Sequence, residues 1–398
     1  MTTTVVLFAV FVMMMGNATV LATLGLFGRG IGLTEFQIGA IISCSAVLFF
    51  LTSSRWGLMA DRRGRRVVIL LGLAGTAVSL LLFAGLFTVE KGELDASVVF
   101  LVLLAARAIY GVLGGGVQPA AMGYMADVTA HADRAAGAAA VGAAVGLGSM
   151  VGPALAAALI GGGFAVPVLG AGILTLATAL VVLAVPRDAP RSEPRAPPPT
   201  AAKRAGVRGK LGFYLVLAFA IHFAFAALQT TNAFYVQDSL GVDTIAAVRR
   251  AAAISMAFAA CSFAVQAGVV RALKWSPDAL LWVGLAVCFL ASVACLMAPG
   301  FGWLLAAFGL LGAGFALAQS GLVAAASVRA GADRQGQLAG RLQAAMAAGW
   351  IVGPLAGSAL YEFSIQGPLI LTAGVLAGGV LGLAVGKDIV QHAGQAPH

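Results

Sequence analysis

Long apolar runs and short polar breaks alternate along the chain, at the spacing of a membrane. Twelve runs reach the roughly 20 apolar residues that a spanning helix needs. They cover 4–28, 36–60, 67–88, 97–126, 135–161, 164–185, 211–236, 247–272, 278–298, 302–328, 338–361 and 366–386. The pattern predicts an all-α membrane protein with twelve transmembrane helices. The first run is predicted to be a span rather than a signal peptide, because no basic residue precedes it and no soluble domain follows it. Abundant glycine, 52 residues, fits helices that approach closely.

The longest break, 186–210, reads PRDAPRSEPRAPPPTAAKRAGVRGK. So many prolines and basic residues are incompatible with a span or a packed core, so a solvated, partly extended linker is predicted. It divides the chain into an N-terminal six-helix half (1–185), the linker, a C-terminal six-helix half (211–386) and a tail (387–398). The halves resemble each other. Gly111, Gln118, Gly148, Gly152 and Pro153 recur 201 residues later as Gly312, Gln319, Gly349, Gly353 and Pro354. The loop triplet Ala132-Asp133-Arg134 recurs 200 residues later as Ala332-Asp333-Arg334. Several matches at one offset argue for duplication, and two like halves around a midplane site are the plan of a rocking secondary transporter.

Composition narrows the class. Hydrophobic residues make up 61% and charged residues 10% of the 398 residues, and mean hydropathy is +0.98. A soluble chain has about 45–50% and about 25%, so this surface must face lipid. A soluble enzyme, a secreted disulfide scaffold and a disordered chain are excluded. Cys44, Cys261, Cys288 and Cys295 lie in apolar runs without metal-ligand spacing and read as small hydrophobes.

The net charge of +9 is informative through its placement. If Met1 lies inside, then Arg55, Arg62, Arg63, Arg65, Arg66, Arg134, the linker residues, Arg271, Lys274, Arg329, Arg334, Arg341 and Lys387 all fall inside. Arg29, Lys91, Arg249 and Arg250 fall outside, and Arg107 lies within the fourth span. This positive-inside bias predicts a bacterial-type inner (plasma) membrane protein with both termini cytoplasmic, and it explains the basic balance without nucleic acid. Acids fall only in loops or near the ends of runs.

The loop between the second and third runs reads Gly57-Leu58-Met59-Ala60-Asp61-Arg62-Arg63-Gly64-Arg65-Arg66. It resembles the GxxxD(R/K)xGRR signature of the major facilitator superfamily. In that resemblance the loop is a cytoplasmic latch: Gly57 permits close packing, Asp61 at a helix N-terminus meets an arginine of the other half, and Gly64 makes the turn. The bland reading is that the arginines only set topology.

In the fourth span Arg107, Gly111, Gly114 and Gln118 share a helical stripe. A charge at that depth is expensive and tends to face a cavity. Glycine beside it leaves room for substrate, water or a backbone partner. RxxxG resembles the superfamily's fourth-span motif, which implies proton coupling; direct binding of an anionic or chelating group is the alternative, and an arginine snorkelling to the interface is the bland reading. Gly148, Gly152 and Pro153 form a GxxxGP run that resembles the fifth-span motif of the drug/proton antiporters, which are exporters. Gly349, Gly353 and Pro354 are its repeat. Ala139 and Ala156 stand where the fullest pattern has glycine, and ordinary helix packing also explains the glycines.

Asn17, Gln118, His222, Gln229, Asn232 and Gln319, with Thr19 and Thr23, form a candidate polar cavity lining; Phe225, Phe234, Tyr235 and Trp350 are its aromatic candidates. His222 reads either as a proton carrier or as a neutral, hydrogen-bonded side chain. Thr34 and Gln37 fit a capping box, which makes Glu35 helix-end chemistry first. No hydrolase, kinase, metal or nucleotide-phosphate signature occurs, so no catalytic residue, metal or cofactor is predicted, and an ion gradient is the expected energy source. The resemblance implies a monomeric, proton-coupled exporter of a small molecule. Asn17 stands where many drug antiporters carry an acid, which favours a neutral, zwitterionic or anionic cargo over a cation. The run from Gly32 to Arg66 and the FYVQDSLG run resemble siderophore exporters of the alcaligin type. General multidrug efflux is the alternative, and a proton-linked importer is the third reading.

Overall fold

The structure is a computed structural model that describes residues 1–90, 92–130, 133–185, 210–269, 275–330 and 335–393. Twelve helices account for nearly all of them. The first six are α1 (Thr3–Ile31), α2 (Glu35–Arg63), α3 (Arg65–Leu86), α4 (Ala96–Val128), α5 (Arg134–Leu159) and α6 (Ala165–Ala184). The last six are α7 (Lys210–Leu240), α8 (Thr244–Ala264), α9 (Pro277–Leu296), α10 (Phe301–Ala330), α11 (Gln335–Phe363) and α12 (Gly367–Ala393). Among the described residues eleven are long and apolar enough to cross a membrane, and the apolar stretch Gly367–Leu383 of α12 is shorter. The predicted linker lies, apart from Lys210, outside the described residues, as do Ala132 and the triplet Ala332-Asp333-Arg334.

The helices are apolar on every side because one side meets neighbours and the other meets lipid. Leu101, Leu180, Val216 and Ile370 are more than half exposed, which is stable only in a hydrocarbon solvent. Polar residues mark the ends. Gly32, at φ 97°, closes α1 through amide bonds from Gly32 to Arg29 and from Leu33 to Gly28. Thr34 and Gln37 then start α2 with the predicted reciprocal capping box. Asp95, Asp243 and Ser276 cap α4, α8 and α9. The amides of Ser97 and Val98 hold the Asp95 carboxyl below the usual carboxylate range.

Several helices overshoot their apolar runs by about a turn. α1 extends to Ile31 and α7 to Leu240, so Arg29 and Asp238 project from helix rather than from loop. α2 extends to Arg63, which corrects the expected place of Asp61: it lies in the last turn of α2, not at a helix N-terminus.

We call the face where α1 begins the near face and the opposite one the far face. The polar ties described between the first six helices and the last six gather at the far face. The Arg29 guanidinium donates to Asp238 at 2.8 Å and to Gln237 at 3.2 Å. Glu362 accepts from the Phe36 amide at 2.9 Å, and Arg249 donates to the Ala157 carbonyl at 3.4 Å. α2 crosses α11 there so closely that a Cβ on Gly39 would lie 2.6 Å from the Pro354 carbonyl. Near-face surfaces are open: a Cβ on Gly57 would meet nothing within 4 Å, and Asp61 is 57% exposed. The bundle is closed at the far face and parted at the near face.

Candidate functional site

Arg107 lies about a third of the way along α4 from the far face and is 3% exposed. It is therefore buried and does not snorkel. Its Nη1 donates to Asn17 Oδ1 on α1 at 3.0 Å, its guanidinium carbon lies 4.7 Å from the centre of the Tyr110 ring, and its Nε has no partner. Two of the predicted residues thus meet across 90 positions of sequence. A buried guanidinium with an unused donor is a site for an acceptor.

The predicted stripe along α4 is interrupted. Tyr110–Gly114 forms a π-turn, which adds a residue to the helical repeat. The carbonyls it loosens are taken up by α2: Trp56 Nε1 donates to the Val112 carbonyl at 2.5 Å, and Thr52 Oγ1 to the same carbonyl at 3.2 Å. Gly111 does not leave space beside Arg107, as the stripe implied. Its open side meets α2, where a Cβ would lie 2.7 Å from the Ser45 carbonyl. Gln118 lies beyond the π-turn and is half-buried.

The fifth-span glycines serve close packing. A Cβ on Gly152 would lie 2.5 Å from the Met15 carbonyl of α1, and Gly148 abuts the Phe11 carbonyl. Thr19 Oγ1 donates to the Gly152 carbonyl at 3.2 Å across the same contact. The repeat behaves alike: a Cβ on Gly349 would lie 2.6 Å from the Phe223 nitrogen of α7, and one on Gly353 2.6 Å from the Phe223 carbonyl. α5 and α11 run unbroken through Pro153 and Pro354.

On the last six helices the midplane is aromatic. Phe225 (α7) stacks on Phe258 (α8) at 4.7 Å and lies 4.9 Å from Phe315 (α10) and 5.5 Å, edge-on, from Trp350 (α11). Phe225 and Trp350 were expected; Phe258 and Phe315 carry no distinguishing sequence signal. His222 Nδ1 lies 2.9 Å from the Ala218 carbonyl, and its ring meets Phe315 edge-on at 5.8 Å. A carbonyl only accepts, so Nδ1 carries a proton in this bond, in a neutral or a charged ring alike. Gln319 reaches the Met346 sulfur at 3.7 Å with its amide nitrogen, and its Oε1 has no partner. Gln229 is half-buried. Asn232 ties α7 to α8 through the Ala251 carbonyl and Ser255. Tyr235 donates to the Cys295 carbonyl, also within the last six helices.

In the loop motif Asp61 pairs with Arg65 at 2.5 Å, and Arg65 also reaches Asp127 at 3.4 Å. The expected arginine of the other half is not Asp61's partner here, because the near face is parted. Gly64, at φ 95°, makes the turn as predicted. Arg66 donates to the carbonyls of Val182 and Leu183, the orphan acceptors at the end of α6. Arg62 is exposed.

Sequence reasoning missed the far-face cluster. Arg29 bonds Glu35 at 2.7 Å as well as Asp238, lies 4.7 Å from the Phe234 ring centre, and shares Asp238 with the Tyr361 hydroxyl at 2.7 Å. The unlike charges of Arg29 and Glu35, six residues apart, were the available signal.

Eleven helices long and apolar enough to cross a membrane, among the described residues, define a multi-pass membrane protein. The profile of the Major Facilitator Superfamily matches residues 6–341, and the chain belongs to that family. Quinolone resistance protein NorA of Staphylococcus aureus (strain MRSA252) is 27% identical over 151 residues, 38% of this chain and 36% of that protein. Multidrug resistance protein 2 of Bacillus subtilis (strain 168) is 26% identical over 186 residues, 47% and 44% of the two chains. The matches span less than half the length of those relatives. A bacterial homolog of the human lysosomal transporter Spinster, solved inward-facing and occupied, superposes with TM-score 0.73 at 14% identity, covering 96% of this chain and 93% of that one. The human organic anion transporter MFSD10 gives 0.66 at 22%, covering 96% and 98%.

Proposed function

We propose that the protein is a proton-coupled exporter of small organic molecules in a bacterial-type inner membrane, with the near face cytoplasmic. The observation that carries this reading is Arg107, buried in α4, held by Asn17 and left with an unused Nε. A permanent cation does not itself release the proton. Its role is to hold an acidic cargo or the water that relays the proton. The two six-helix halves rock, so that a site open to the near face comes to open at the far face. The lysine and arginine distribution supports the orientation, and the GxxxGP run at Gly148–Pro153 supports export.

The names of the bacterial relatives support a multidrug range of cargo. A self-made siderophore with hydroxamate or carboxylate groups is the narrower reading, supported by the resemblance of the first two spans and by the cation at Arg107.

The test uses the protein in liposomes under an imposed pH gradient, with a fluorescent drug panel and a pH dye. Gradient-dependent drug movement with counter-flow of protons is expected, and Arg107→Ala should abolish it at normal expression. Wild-type transport by that variant would overturn the coupling role. Mass spectrometry of medium and cells from a deletion strain, grown with and without iron, separates the cargo readings. A chelator lost outside and retained inside marks siderophore export. Unchanged secreted metabolites with raised drug sensitivity mark multidrug efflux.

A further inference from the structure

The internal repeat can be read atom by atom, and it exposes an asymmetry at the midplane. Gly148 approaches the Phe11 carbonyl, Met14 Cβ and Met15 nitrogen of α1; Gly349 approaches the Phe219 carbonyl, His222 Cβ and Phe223 nitrogen of α7. This register makes Phe225 the counterpart of Asn17. Likewise Gly111 meets Ser45 of α2 as Gly312 meets Phe258 of α8, so Phe258 answers Ser45. At the 201-residue offset Phe315 answers Gly114 and Trp350 answers Ser149. Every ring of the aromatic cluster therefore has a small or polar counterpart, and Arg107 itself answers Phe308.

α1 and α7 cross near the far face, where a Cβ on Gly25 would lie 3.0 Å from the Phe234 ring. Asn17 and Phe225 lie eight and nine residues nearer the parted face, or about 12 Å below the crossing. The polar wall and the aromatic wall thus stand at one depth on opposite sides of the divide. Asn17, Phe225, Phe258, Phe315 and Trp350 are all partly exposed. The polar wall offers a donor, Arg107 Nε, and the aromatic wall an acceptor, Gln319 Oε1, one turn beyond Phe315; both are buried without partners.

Resting on the transport reading above, we infer that the cargo is a flat aromatic ring bearing an acid group. The acid binds Arg107, the ring lies against Phe225 and Trp350, and a donor on the ring's edge meets Gln319. A π-face against stacked rings and a carboxylate on a guanidinium are the complements these walls present. The same rule disfavours a cation beside Arg107, which repels it, and an aliphatic acid, which leaves the rings without a partner.

The test is direct binding to the purified full-length protein in lipid nanodiscs, by equilibrium dialysis of radiolabelled probes. 2-Naphthoate, 2-naphthylmethylammonium and octanoate separate ring from charge. Saturable naphthoate binding is expected, with both others roughly tenfold weaker or more. Arg107→Gln should weaken naphthoate roughly tenfold to a hundredfold, and Phe225→Ala should weaken it by about two- to tenfold. Equal or tighter binding of the ammonium or of octanoate overturns the inference in the wild-type protein, where no variant needs to fold. Naphthoate binding that both variants retain also overturns it. Drug export from liposomes is read in parallel. Export of cationic drugs without naphthoate binding defeats this cargo class and leaves the exporter reading standing. Naphthoate binding with no gradient-driven movement of any compound does the reverse.

Discussion

Arg29 near the end of α1 and Asp238 near the end of α7 are joined at 2.8 Å, 209 residues apart in the chain. The guanidinium is shared with Glu35 at 2.7 Å, and the carboxylate with the Tyr361 hydroxyl. One ion pair thus draws α1, α2, α7 and α11 together at the far face. Both partners are only about a quarter exposed, so the pair is less screened than a surface bridge. If the far face must open, this cluster must come apart. Arg29→Gln should therefore shift the resting population toward a far-open state by about 1–2 kcal/mol. Spin labels on the α1–α2 and α7–α8 turns would report it as a longer distance component. An unchanged distance distribution would show that the cluster does not hold the face shut.

The near-face loop makes the opposite prediction. Asp61 is exposed and bound only to its neighbour Arg65 in this conformation. If Asp61 takes an arginine of the other half when the near face closes, Asp61→Asn should leave ligand binding unaltered and slow turnover. Gly57 is the companion case. A Cβ there meets nothing within 4 Å, so Gly57→Ala should raise the thermal stability of the near-open form, by up to about 1 kcal/mol. If closing the near face brings α2 against a neighbour at Gly57, the same variant should transport more slowly. Normal turnover in both variants would reduce the motif to a topology signal.

Gly152 and Gly353 should be intolerant of any side chain. A Cβ would lie 2.5 Å from the Met15 carbonyl in the first and 2.6 Å from the Phe223 carbonyl in the second. Backbone cannot move aside as a flexible side chain can. Each change to alanine should cost about 1–3 kcal/mol, read as a lower melting temperature in detergent. Gly142, which has no neighbour within 4 Å of a Cβ, is the control, and its change to alanine should melt no lower than wild type.

Which parts were legible follows from what each depends on. Span number came from hydrophobic runs, which obey membrane thickness alone. The partnership of Arg107 with Asn17 was half-legible: an in-span cation demands a partner, and Asn17 is the only side-chain amide of α1. Helix ends were misjudged because polar residues continue a helix past the hydrocarbon, as α1 does to Ile31 and α7 to Leu240. That overshoot hid the Arg29 cluster. Phe258 and Phe315 were invisible because one phenylalanine in an apolar run looks like any other until the helices assemble. The π-turn at Tyr110–Gly114 was equally hidden, since it depends on acceptance of its carbonyls by α2.

That acceptance yields the last prediction. Trp56 Nε1 donates to the Val112 carbonyl inside the π-turn, one residue past Gly111 along the path from Arg107 to α2. Trp56 also immediately precedes Gly57, the first residue of the near-face loop motif. One indole thus bridges the turn below the buried cation and the helix that carries the loop. Trp56→Phe keeps the ring and removes the donor. Thr52 still reaches the same carbonyl at 3.2 Å, so the acceptor is not orphaned and the loss in stability should be modest, about 0.5–1.5 kcal/mol. If the π-turn transmits occupancy of the Arg107 site to α2, turnover should fall by more than this loss implies, while ligand affinity holds. Measuring melting temperature, affinity and turnover on one preparation separates the outcomes. Turnover that tracks stability alone would make Trp56 a packing residue and the π-turn a passive irregularity.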